Sequence, residues 1–275
     1  MILRIGYDIV TKQRFPTPMV LMLNTRPDSV RRFIRPDDPR IDPEIPMHPY
    51  LDSFGNRCLR IVAPAGTMRI SADALLENDA ELDDYAPDAR QHPVEELPDE
   101  CLPFLLGSRY CEVDKLTPFA WETFGRSDLG WARVQAVSDW VHNHVKFGYE
   151  YASSTKTAAD VLEEGRGVCR DFQHLAVTLC RCLGIPARYA TGYLGEIRMA
   201  PLPGAMDFSA WYEAYLGDRW YSFDARFNER RRGRTLMAVG RDATDVALLT
   251  TFGPHELDKF EVICEEFLGD PGQSV

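Results

Sequence analysis

Among the seven cysteines of this 275-residue chain, Cys169 has the setting best suited to chemistry. It lies in the run GRGVCRDFQHLAVTLCRCLGIPARYATGYL, from Gly165 to Leu194, where a glycine-rich turn gives way to helical spacing. Phe172, Leu175, Ala176, Leu179, Cys180 and Leu183 recur at that spacing, Gly184 is a stop signal, and Pro186 cannot continue the helix. Gly167 lets the backbone turn sharply just ahead of it. Cys169 is therefore expected at the helix N-terminus, where free N–H groups and the macrodipole favour negative charge. Such a position lowers a thiol's pKa, and the thiolate is the reactive form. The same position also suits a small buried hydrophobe, the ordinary role of a cysteine. Asp171, in the first turn, reads as a residue that complements the dipole.

A nucleophilic thiol needs a base, and the place to look is MDFSAWYEAYLGDRWYSFDARFN, from Met206 to Asn228. Period-two aromatic and aliphatic residues flank Gly217-Asp218, a two-residue hairpin signal. That turn makes Leu216 face Arg219, Trp211 face Asp224 and Ser209 face Arg226. Ser209 and Asp224 then become diagonal neighbours on one face, with a Cβ separation of about 7 Å or less. An imidazole at position 209 would reach the Asp224 carboxylate and offer its other nitrogen to a thiol. The chain has serine there. A hydroxyl is no general base at neutral pH, and it is too short to span what an imidazole covers.

The histidines offer no evident substitute. His174 lies five residues along the same helix, about 140° and 7.5 Å of rise from Cys169, and is expected to pack within the core. His142 and His144 belong to the preceding helix, His48 and His92 sit in proline-rich loops, and His255 lies near the C-terminus. Arg226, Arg230, Arg231, Arg232 and Arg234 cluster just past the hairpin. They read as a solvated loop or as a receptor for a carboxylate or acidic peptide. Arg226, set beside Ser209 by the register, is placed to stabilise a thiolate without imidazole. Cys180 and Cys182 project about 200° apart on their helix, and no CxxC is present, so neither a metal nor another cofactor is expected.

The elements that must position these residues fall into two halves. In the first, Leu3, Ile5, Tyr7 and Ile9 share one parity, and MVLMLN (Met19 to Asn24) follows a Pro-Thr-Pro stretch. CLRIVA (Cys58 to Ala63) and TMRISADALL (Thr67 to Leu76) are separated by Pro-Ala-Gly, a hairpin-type turn, and DSFGN (Asp52 to Asn56) is another turn signal. An antiparallel β-sandwich over residues 1–76 is the natural way to bury such strands. From Glu77 to Glu100 come ten acidic residues, one arginine and three prolines, the pattern of a solvated linker. Residues 101–275 form the second domain. CLPFLLGSRYC opens it as a short buried helix and turn, a helix spans Gly130 to Lys146, and strands follow the Cys169 helix. The fold class is α+β.

Composition narrows the functions. A net charge of −11 leaves no concentrated basic face for phosphates, which argues against nucleic-acid binding. No segment approaches the roughly 20 apolar residues that span a bilayer, and MILRIGYDIV is too short for a signal peptide. An odd cysteine count without a paired framework suits a reducing compartment, so the cytoplasm is expected. Oligomeric state is not encoded legibly.

The chain resembles bacterial transglutaminase-like proteins, cysteine peptidases of the papain-like superfamily. GRGVCRDFQHLAVTLCRCLGIPARYATGYL and DFSAWYEAYLGDRWYSFDAR carry the resemblance, with LPFLLGSRYC, DSFGNRC and GRDATDVA in support. The resemblance implies an N-terminal β-domain followed by a transglutaminase-like core. There a cysteine begins a helix, and a histidine and an aspartate lie on adjacent strands. By position, Cys169 matches the nucleophile, Asp224 the carboxylate that orients histidine, and Ser209 the histidine of an active DFHAW pattern. Arg226 and Trp211 are candidates for contacting substrate. Two functions are implied: an amidase or peptidase acting on a peptide or protein amide, slowed by Ser209, or an inactive peptide-binding module on the same scaffold. A thiol used for redox chemistry or covalent trapping is a third reading.

Overall fold

The computed structural model describes residues 1–199 and 206–269, so the last residues of the expected second domain lie outside the described residues. Seven strands open the chain: β1 (Ile2–Gln13), β2 (Thr17–Leu21), β3 (Arg32–Arg35), β4 (Arg40–Asp42), β5 (His48–Leu51), β6 (Arg57–Ala63) and β7 (Gly66–Glu77). Four helices follow, with two short strands between them: α1 (Val113–Phe124), α2 (Trp131–His144), β8 (Lys146–Phe147), α3 (Ala158–Glu164), β9 (Arg166–Gly167) and α4 (Cys169–Cys182). The remaining strands are β10 (Ala187–Tyr193), β11 (Ser209–Leu216), β12 (Arg219–Phe223), β13 (Thr235–Gly240), β14 (Leu249–Thr251) and β15 (Glu256–Glu266). The fold is α+β, as the sequence predicts.

Two antiparallel sheets, β15-β1-β7-β3 with β4 also on β7, and β14-β2-β6-β5, form the N-terminal layers. Leu3, Ile5, Tyr7 and Ile9 alternate inward from β1 to meet Met19, Leu21, Ile61, Met68 and Ile70 in one core. Three features differ from expectation. The Pro-Ala-Gly turn joins β6 to β7 without pairing them: it carries the chain from one sheet to the other. Gly66, at φ +104°, supplies the backbone conformation for that corner. DSFGN does close a hairpin between β5 and β6, with Asp52 Oδ1 accepting the N–H groups of Phe54 and Asn56.

Second, the β-domain is made from both ends of the chain. β15 pairs along β1 from Leu3 to Lys12, and β14 pairs with β2, so residues 249–266 complete the sheets begun by residues 2–77. An unpaired β1 edge would leave a long row of N–H and C=O groups open, and β15 closes it.

Third, the acidic stretch after β7 keeps most of its carboxylates in solvent, as expected, but its backbone is docked on the core. Leu82 bridges Arg232, the Ala89 carbonyl accepts the Trp131 N–H at 3.0 Å, and the Arg90 carbonyl accepts the Gly217 N–H at 3.0 Å. His92 is buried with Nε2 accepting the Asp218 N–H. Asp83 bonds the Arg231 N–H and the Arg234 guanidinium, while Arg230 and Arg232 donate to the carbonyls of Asp83 and Ala80. Arg230 to Arg234 thus anchor the acidic segment, and the carboxylate that Arg234 receives is the chain's own, whereas Arg226 stands apart from it.

In the core domain, α4 is the central helix. It packs against α1, α2 and α3 and against the sheet β12-β11-β10-β13, with Phe172, Leu175, Ala176 and Leu179 in the shared core. Gly217 and Asp218 both take positive φ, 51° and 71°, the twist that a two-residue hairpin needs. The register follows: Leu216 faces Arg219 and Tyr212 faces Phe223.

Candidate active site

Cys169 opens α4, as the glycine-rich turn implies, but Gly167 serves a different purpose. A Cβ at position 167 would lie 2.6 Å from the Asp171 side chain, so glycine is required by close approach. Asp171 is fully buried; its Oδ2 accepts the Val168 N–H at 2.9 Å, and its Oδ1 faces the Arg170 guanidinium at 3.2 Å. It caps the helix from inside. Burial pushes its carboxyl pKa up, against the pull of the Val168 N–H and Arg170.

The other six cysteines are buried, and Cys169 alone is partly exposed. Burial holds the thiols of Cys180 and Cys264 up to about 12 and that of Cys101 up to about 11. Cys169 is also shifted up, opposite to the expectation from its helical position. The cause is burial: the side chain packs against the cluster of Tyr189, Ala210, Ala238 and Val246, which desolvates the thiolate. The Arg226 charge and the Arg170 backbone N–H oppose that rise; the carboxylates of Asp207 and Asp224 add to it.

The strands place the other candidates unequally. The β11–β12 ladder stops at Tyr212 and Phe223, so the expected facing of Trp211 with Asp224 and of Ser209 with Arg226 is not made. Asp224 turns the chain out of the sheet instead. Its Oδ1 accepts the N–H groups of Arg226 (3.0 Å) and Phe227 (3.2 Å), and its carbonyl accepts the Asn228 N–H (2.7 Å). The same Oδ1 accepts Gln173 Nε2 at 3.0 Å, while Oδ2 has no hydrogen-bond donor and faces Arg234 Nη2 at 3.6 Å. Ser209 begins β11 opposite Gly192, its carbonyl accepting the Thr191 hydroxyl at 3.1 Å. It adjoins Ala210, which packs beside Cys169. Arg226 lays its guanidinium over Phe147 at 3.8 Å and Phe227 at 4.5 Å. Trp211 is only 1% exposed, packed with Ala190 and Val239 beneath the Arg234 guanidinium, so it has no face for a substrate.

Five histidine rings have hydrogen-bond partners elsewhere. His174 Nε2 accepts the Ala243 N–H, His144 Nε2 meets the Leu162 carbonyl, His142 Nδ1 meets the Arg226 carbonyl, and His255 pairs with Thr251. His92 is held on the hairpin turn, and His48 lies exposed in β5 of the other domain.

Two residues that the sequence reading passed over belong to the site. Asp207 lies two positions before Ser209, and its charge acts on Cys169. Burial shifts its own carboxyl up, against the Phe208 N–H and Arg226. Gln173 is the second. Its signal is its spacing: an uncharged polar residue one turn beyond Cys169, on nearly the same face of the helix.

The transglutaminase-like superfamily model matches residues 122–225, which contain Cys169, Ser209 and Asp224. A crystal structure named as a "Putative Cysteine Protease" from Cytophaga hutchinsonii superposes with a TM-score of 0.84 at 31% identity, over 98% of this chain and 92% of that one. An uncharacterized protein of Mycobacterium leprae (strain TN) is 34% identical over 119 residues, and the match spans 42% of this chain and 42% of that relative's length. The periplasmic domain of TgpA from Pseudomonas aeruginosa is 17% identical with a TM-score of 0.41, over 79% of this chain and 75% of that one. Among the described residues, no helix is long and apolar enough to cross a membrane. With nearly its whole length matched at such identity, and Cys169 set at the head of the central helix, the chain belongs to the transglutaminase-like superfamily.

Proposed function

We propose that this chain is built as a cysteine peptidase or amidase that attacks a peptide or other amide bond through a thioester on Cys169. One observation carries the reading: of seven free cysteines, the one that is not fully buried is the one that heads the central helix. In the reaction, Cys169 Sγ bonds to the amide carbonyl carbon and the C–N bond breaks. The leaving amine takes up the proton that the thiol gives up. Water, or another amine in the case of acyl transfer, then displaces the thioester and returns a proton to sulfur. N–H groups at the start of α4 provide part of an oxyanion site. Arg226 favours the thiolate and is the candidate partner for a substrate carboxylate.

Ser209 leaves the proton transfer without an imidazole. General acid–base assistance is worth about 10²–10⁴-fold, so turnover is slow. Restoring the base by Ser209→His is expected to raise amidase activity by about 10²–10⁴-fold, with Cys169→Ala abolishing the gain. A folded Ser209→His protein that stays inert against a broad peptide panel counts decisively against the reading. The upward shift of the Cys169 thiol favours a second reading, a peptide-binding module whose cysteine stays protonated. Peptide binding that survives Cys169→Ala, without turnover in either protein, selects it.

A further inference from the structure

Gln173 is completely buried and has three polar partners on two different elements. Its Nε2 donates to Asp224 Oδ1 at 3.0 Å and to the Ala210 carbonyl at 3.2 Å; its Oε1 accepts the Ala225 N–H at 3.3 Å. It lies four residues beyond Cys169, about 40° around α4 and roughly 6 Å along it, on nearly the same face. One side chain therefore ties the helix that carries the thiol to the strand residue after Ser209 and to the turn that carries Asp224.

We propose that Gln173 is the positioning residue of this site: its amide fixes the Asp224 carboxylate and the start of β11 relative to Cys169. The inference rests on the reading of Cys169 and Asp224 as parts of one site. It also defines which carboxylate oxygen is open. Oδ1 is filled by Gln173 and by the Arg226 and Phe227 N–H groups, so Oδ2 is the oxygen left to receive a donor. Without Gln173, Oδ1 keeps the Arg226 and Phe227 N–H groups but loses its tie to α4, and the nearest opposite charge is Arg234, whose Nη2 stands 3.6 Å from Oδ2 and whose Nε already holds Asp83 at 3.0 Å. The carboxylate then relaxes toward Arg234.

The test reads position without requiring turnover. The charges acting on the Cys169 thiol are those of Arg226, Asp207 and Asp224. Iodoacetamide alkylation of Cys169 is followed across pH in the full chain and in Gln173→Met. Drawing the Asp224 charge away from the thiol is expected to lower the alkylation midpoint by about half a pH unit. Gln173→Asn keeps an amide but falls one methylene short. It is expected to shift the midpoint the same way by less, and it decides the matter if the Met variant does not fold. A folded variant with reduced Tm and an unmoved midpoint shows a merely structural glutamine and overturns the proposal. In the Ser209→His background, Gln173→Met is expected to cut kcat about tenfold with KM within twofold. If Ser209→His shows no turnover, that bears on the proposed activity, and the alkylation midpoint alone decides the role of Gln173.

Discussion

Acidification tests the core beside the candidate site. His174 has no exposed surface, stacks on Tyr110 at 4.9 Å and lies 5.0 Å from Tyr189. Its Nε2 accepts the Ala243 N–H at 3.1 Å, so the neutral ring carries its proton on Nδ1. Protonating Nε2 would set two donors against each other. Burial pushes the imidazole down to about 3, with Arg170 and Arg181 acting the same way and Asp242 against them. The group binds protons less well folded than unfolded, so between the two pKa values the unfolded chain holds the extra proton. Stability therefore falls as pH falls from about 6.5 toward 3. At pH 5 the unfolded imidazole lies about 1.5 units below its pKa, which amounts to about 2 kcal/mol. Any folded value below about 4 gives nearly the same figure at that pH. Urea denaturation at pH 7.5 and pH 5.0, on the unmodified chain and on His174→Gln, measures it. Despite burial, contacts with Ser108 and the Tyr110 and Thr244 N–H groups hold the Asp242 carboxyl down, so it too loses stability on acidification. That loss sets in only near the ordinary carboxylate range, about 3.9, below the interval compared. The variant is expected to lose about 2 kcal/mol less than the unmodified chain over the interval. Equal losses in the two proteins would refute a buried neutral His174.

Two further outcomes follow from charges around the site. Arg226→Met removes the cation that opposes the burial of Cys169, so the alkylation midpoint of that thiol is expected to rise by about half to one pH unit. An unchanged or lowered midpoint rejects the assignment of Arg226 to the thiol. Asp83→Asn takes a carboxylate from the buried Arg234 and is expected to cost about 3 kcal/mol in urea denaturation. A change under about 0.5 kcal/mol, the scale of an ordinary surface substitution, means that the acidic segment is not anchored there.

What the sequence made legible was local. The Gly217-Asp218 turn dictates its own backbone, so the pairing of Leu216 with Arg219 could be read from two residues. Extending that register to Asp224 failed because the aspartate binds the N–H groups of Arg226 and Phe227, a competition between side chain and sheet that strand alternation ignores. The docking of the acidic segment is illegible for a different reason. Its partners, Arg230 to Arg234, stand some 150 residues away in the chain, and composition alone cannot show that Asp83 will meet Arg234. The Pro-Ala-Gly corner reads as a hairpin in sequence because such a turn serves equally to join paired strands or to change sheets.

The thiol shows why a site is harder to read than a fold. A helix N-terminus does favour a thiolate, and that much belongs to α4 alone. The cluster against which Cys169 packs comes from four other parts of the chain: Tyr189 from β10, Ala210 from β11, Ala238 from β13 and Val246 beyond it. Together they desolvate the sulfur enough to reverse the sign of the expected shift. In such a pocket a histidine changes more than the rate of one step. An imidazole that takes the thiol proton replaces a lone desolvated anion with an ion pair, which the same low-polarity surroundings strengthen. The packing that keeps Cys169 protonated beside serine is therefore compatible with a reactive thiolate beside histidine. In the proposed reaction, Ser209 rather than the burial of Cys169 is therefore the feature on which activity would turn.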